Sequence, residues 1–135
     1  MDFSDLRDGA HSLYPHAMTL DEVRGILSAQ VLCCSDMLSI GIKFACGCDL
    51  MSDVLAFTQP GALLLTGLTN NQVVRTAEVL DLTAIVFCRD KQPDAETISL
   101  AEELKIPLLS SPHPLYESCG LLFKNGLNGC GGLRK

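Results

Sequence analysis

Hydrophobic positions along this chain change period several times, and each change marks an element. The run Ala62-Leu63-Leu64-Leu65 is continuous and of strand length, as expected for a strand covered on both faces in a parallel sheet. After Thr66-Gly67-Leu68 the apolar positions switch to helical spacing, with Val73, Val74, Ala77 and Leu80 inside and Arg75 and Glu78 outside. Between the two patterns, Thr69-Asn70-Asn71-Gln72 has the spacing of a capping box. The same alternation continues downstream. Residues 83–88 form a β-branched, apolar strand, 89–93 a charged loop, and Asp94 caps a helix burying Ile98, Ala101 and Leu104. Residues 106–109 form another strand and 110–114 a loop. A last helix runs through Tyr116, Cys119, Leu122 and Phe123 and stops near Gly126.

Upstream, Thr19-Leu20-Asp21-Glu22 is a second capping box, opening a helix with Leu20, Val23, Ile26 and Leu27 on one face. Residues 30–34 and 42–45 are short strands. Asp49 reads as the cap of a helix whose inner face is Leu50, Met51, Val54 and Leu55. Strands alternating with helices imply right-handed crossovers, and hence one three-layer α/β/α domain with a mostly parallel sheet. Residues 1–18 are expected to be a flexible N-terminal segment, 19–126 the α/β domain and 127–135 a flexible tail.

Composition narrows the function. The 135 residues suffice for one domain with a real core, and 47% hydrophobic content makes it globular. A net charge of -6 and a pI near 4.8 argue against nucleic acid or an anionic membrane as partner. No apolar run reaches membrane-spanning length, and the acidic start Met1-Asp2-Phe3-Ser4-Asp5 is unlike a signal peptide, so a cytoplasmic location is expected. So apolar a short chain is consistent with a homodimer.

In a parallel sheet the loops after the strands gather along one edge, where ligands bind. That edge collects Thr66, Gly67, Thr69 and Asn70 from one loop, Arg89 and Lys91 from the next, and Ser110, Ser111 and His113 from the third. Hydroxyls, an amide, cations, a histidine and helix N-termini together suit a phosphate or carboxylate, so a small anionic ligand is expected there. The competing reading is that Ser110 and Ser111 only start the last helix, while Arg89 and Lys91 belong to a solvated loop.

Catalytic signatures are lacking: no Gly-rich loop ending in Lys-Ser/Thr, no Gly-x-Gly-x-x-Gly, no Gly-x-Ser-x-Gly and no His-Glu-x-x-His. No enzyme activity, no catalytic residue and no cofactor is expected. Of the seven cysteines, Cys33-Cys34 and Cys46-x-Cys48 are the close pairs. Cys-x-x-Cys never occurs, and His11 and His16 have no third ligand nearby, so no metal site is expected. Cys46 and Cys48 at a helix N-terminus could nevertheless have lowered pKa values, which leaves a thiol or iron–sulfur redox component as an alternative function. A pure partner-binding protein is another.

Two longer strings resemble a known family. Phe44-Ala45-Cys46-Gly47-Cys48-Asp49-Leu50-Met51-Ser52-Asp53-Val54-Leu55-Ala56-Phe57, and Leu64 through Ala77 with its Leu-Thr-Gly-Leu-Thr-Asn core, resemble small stand-alone proteins of the DRTGG-domain family, although the Asp-Arg-Thr-Gly-Gly string itself is absent. So do Ala84-Ile85-Val86-Phe87 and Ile106-Pro107-Leu108-Leu109; together the likeness covers about residues 18–126. It implies a fold like the N-terminal domain of HPr kinase/phosphorylase. It also implies a regulatory, oligomer-building role of the kind seen beside phosphotransacetylases and nucleotide-regulated pyrophosphatases. Kinase activity is not expected without the phosphate-binding loop. Association of such small members with iron-only hydrogenases implies a redox-enzyme partner.

Overall fold

A computed structural model describes residues 18–130. The first helix, α1 (Leu20–Leu27), opens with the expected capping box: Thr19 Oγ1 accepts from Glu22 N–H at 3.1 Å, and Glu22 Oε1 accepts from Thr19 N–H at 2.8 Å. Just ahead of it, β1 (Met18–Thr19) pairs antiparallel with β3 (Gly41–Ile42), forming a small ribbon apart from the main sheet. The apolar stretch 42–45, expected as one strand, is thus split at Lys43, and its second part becomes β4 (Phe44–Gly47).

The main sheet also contains β2 (Gln30–Cys33), β5 (Leu63–Thr66), β6 (Ala84–Phe87), β7 (Leu108–Ser110) and β8 (Asn128–Gly129), in the order β2-β7-β6-β5-β4-β8. Strands β4 to β7 are mutually parallel, β8 is parallel to β4, and β2 alone runs antiparallel, against β7. Residues 127–130 correct the expectation of a flexible tail from 127. Leu127 and Cys130 are buried, and β8 extends the sheet. The segment 1–17, with His11 and His16, and residues 131–135 lie outside the described residues.

Three layers result, as expected. Helices α2 (Met51–Phe57), α3 (Asn71–Leu80) and α4 (Ala95–Leu104) cover one face through Val54, Val73, Val74, Ala77 and Ala101, which pack on Leu64, Ile85, Phe87 and Leu108. The other face carries α1 and α5 (Leu115–Lys124), where Leu20, Val23, Leu27 and Leu122 meet Leu63, Leu65, Val86 and Leu109. Every residue of β5 and β6 is buried, which is why these strands read as unbroken apolar runs. Each such Leu, Ile or Val contributes roughly 1.5–3 kcal/mol by leaving water. Among the described residues no helix is long and apolar enough to cross a membrane.

Candidate functional site

Because β4 to β7 run the same way, the segments after them share one edge of the sheet. Asp49 follows β4 there, and it forms the anchor of the edge. Its Oδ1 accepts from Thr66 Oγ1 at 2.9 Å and from Gly67 N–H at 2.7 Å. Lys91 Nζ donates to Gly67 O at 3.0 Å. Both polar groups of Gly67 are therefore engaged by side chains of opposite charge from neighbouring loops. A Cβ on Gly67 would lie 3.6 Å from both Asp49 carboxylate oxygens and from Lys91 Nζ, so the glycine keeps open the space these two charges flank.

Asp49 was expected to cap α2. Instead Leu50 holds the cap position in an extended conformation, φ -106° and ψ 108°, with no side-chain cap bond. At α3 the cap is Asn70 rather than Thr69: Asn70 Oδ1 accepts from Val73 N–H at 3.3 Å. The next amides, of Asn71 and Gln72, sit in the first turn, where no helical carbonyl reaches them. Asn70 is thus structural and also sets the positive end of α3 at this edge.

The loops after β6 and β7 are bound to each other. Arg89 N–H donates to His113 O at 2.8 Å and Asp90 N–H to Ser111 O at 2.7 Å. Ser110 Oγ donates to Lys91 O at 2.9 Å. Arg89 and Asp90 are both left-handed, with φ 62° and 56°, at a cost of roughly 1–2 kcal/mol each that these ties offset. The two side chains stay exposed. Arg89 and His113, distant in sequence, are thereby brought to one place.

Ser110 and Ser111, like the buried Thr66, face inward, unlike the rest of the expected set. They are 2% and 0% exposed. Ser111 Oγ lies 3.2 Å from Ser118 Oγ of α5 and accepts from His113 N–H at 3.1 Å. Their hydroxyls fasten the loop and the last helix. The edge that faces solvent is made by Gly67, Thr69, Asn70, Arg89, Lys91 and the half-buried His113, with Asp49 added.

Burial pushes several of the thiols toward their neutral form. Cys46 accepts from Thr58 Oγ1 at 3.3 Å, and burial raises its pKa, the reverse of the lowering expected at a helix N-terminus. Burial also pushes Cys119 up to about 11. A separate apolar cleft of about 330 Å³ lies between α5 and the β4–β8 edge, lined by Ala45, Gly47, Leu65, Cys119 and Phe123, with no charged side chain. Tyr116 and Phe123 beside it, and Leu50, Leu55 and Phe57 of α2, are exposed large apolar residues.

Compared with known families, residues 22–123 match the DRTGG domain. The chain belongs to this family. A search of curated proteins finds no match. Among solved structures, this DRTGG domain is similar to the CBS and DRTGG domains of the regulatory region of Clostridium perfringens pyrophosphatase, complexed with the activator diadenosine tetraphosphate. The TM-score is 0.66 at 18% identity, over 87% of this chain and 52% of the other. The likeness establishes the α/β fold, and the chain spans about half the length of that regulatory region.

Proposed function

We propose that this DRTGG domain is a non-catalytic, ligand-sensing regulatory module that binds a small anionic ligand, a nucleotide in the first instance, at the edge formed by Asp49, Gly67, Thr69, Asn70, Arg89, Lys91 and His113. The observation that carries the reading is the arrangement around Gly67. Lys91 uses one of its three N–H donors on Gly67 O, leaving two for phosphate oxygens beside the α3 N-terminus. Asp49 uses Oδ1 internally, leaving Oδ2 to accept from a ribose hydroxyl, the role an acidic residue plays in other sheet-edge nucleotide sites. A nucleotide-activated regulatory region of the same fold supports the ligand class.

Self-association as a dimer is the second part of the proposal, supported by the exposed apolar residues Leu50, Leu55, Phe57, Tyr116 and Phe123. A redox-enzyme partner of the hydrogenase type rests on the sequence resemblance alone. A thiol-redox role is disfavoured by the raised pKa of Cys46.

A thermal-shift screen against phosphate, acetyl phosphate, mononucleotides and diadenosine tetraphosphate tests the ligand site. A ligand at about 100 times its dissociation constant adds roughly 2.7 kcal/mol, a rise of several degrees. The rise is expected to vanish in Lys91→Ala and Gly67→Ala; no rise across the panel, or a rise unchanged in both variants, contradicts the proposal.

A further inference from the structure

At the opposite edge of the sheet, β2 and α4 bring two thiols and a carboxylate together. Cys33 is in register with Leu108 at the start of β7, so this corner also lies at the other end of the strands from the ligand edge. Successive residues of an extended strand point to opposite faces. Cys33 and Cys34 escape that rule, because the register shifts between Val31 and Cys33 and Cys34 is left-handed, φ 59° and ψ 43°. Both thiols consequently enter the same core cluster as Ala101 and Ile106. Cys33 Sγ lies 3.6 Å from Ile106 O, and Cys34 Sγ 4.0 Å from Ala101 O. Glu102 is held at the spot, since its Oε1 accepts from Cys34 N–H at 3.1 Å. One carboxylate oxygen and the two sulfurs lie within 4.8 Å of one another.

We propose that Cys33, Cys34 and Glu102 form a binding site for one thiophilic divalent cation of the zinc type. Two sulfurs and one oxygen match the donors zinc takes, and a tetrahedral zinc needs its sulfurs about 3.8 Å apart, a spacing compatible with donor atoms that all lie within 4.8 Å of one another. The exposed side of Glu102 leaves the fourth position to water. The absence of Cys-x-x-Cys spacing hides such a site, because the backbone turn at Cys34 does what two intervening residues do elsewhere. Loading breaks the two S–H bonds, releases two protons to solvent and involves no change of oxidation state.

The test is an anaerobic titration of the reduced, metal-free full chain with Cd²⁺, following the thiolate-to-cadmium absorption and the protons released. The expected result is a tight first equivalent releasing about two protons. That phase is expected to disappear in Cys33→Ser/Cys34→Ser, to weaken by about tenfold or more in Glu102→Gln, and to survive in Cys46→Ser/Cys48→Ser. Glu102→Gln retains a carbonyl to accept from Cys34 N–H, so it reads metal binding without requiring the double variant to fold. No tight phase in the native chain, a tight phase unaffected by Glu102→Gln, or one lost with Cys46 and Cys48 overturns the proposal.

Discussion

Asp49 ties the segment after β4 to the loop after β5, at the edge where the parallel strands end. Thr66 is fully buried, and its hydroxyl donates to Asp49 while accepting from Leu68 N–H at 3.2 Å. Removing the carboxylate in Asp49→Ala leaves that buried donor and Gly67 N–H without their shared partner. The expected loss is about 1–2 kcal/mol, and Asp49→Asn, which keeps an acceptor oxygen, is expected to lose less. Urea unfolding checks this; an Ala variant as stable as the native chain contradicts the bonding described. Asp49 was the residue least legible in the sequence. An aspartate between a strand and a helix looks the same whether it caps the helix or reaches the next strand. The backbone angles at Leu50 and the adjacency of β4 and β5 decide between them. Ser110 and Ser111 illustrate the converse. Small hydroxyl residues after a strand resemble ligand contacts, and only the approach of Ser118 from α5 shows where Ser111 points.

At the scale of elements, helix starts were the most readable feature, because a cap is a local interaction between residues three apart. Thr19 and Asp94 act as their spacing predicts. At α3, Thr69 and Asn70 are both good caps in adjacent positions, and local pattern alone could not choose. Short edge pairings were least readable: β8 is two residues of turn-like Asn128-Gly129, whose pairing comes from β4 having a free edge rather than from any apolar period. Asp94 supplies a pH test. Its Oδ1 accepts from Thr97 N–H at 2.8 Å, and this bond lowers its pKa below the ordinary 3.8. A carboxylate whose folded pKa is depressed contributes stability that is present above its unfolded pKa and lost as pH falls through the folded value. The native chain is therefore expected to exceed Asp94→Ala in thermal midpoint at neutral pH, with the gap closing below about pH 4. A gap independent of pH contradicts a charge-assisted cap.

For the whole molecule, the parallel order β7-β6-β5-β4 is what brings separate sequence fragments to one edge. It sets the loops after four strands side by side, while helices cover most of both faces of the sheet. The fold class was legible because alternating strand and helix periods admit few topologies. The membership of the edge was legible for Gly67, Asn70, Arg89 and Lys91, whereas its internal bonding depended on side chains meeting across loops. Two features compete for function at this scale: the charged edge and the apolar cleft by α5. The measurement that separates them most directly is a map of backbone amide NMR shifts on titrating a nucleotide into the labelled protein. The account predicts that the largest changes fall at residues 66–72 and 89–91. Changes centred on α5 and β8, or none at saturating nucleotide, contradict it.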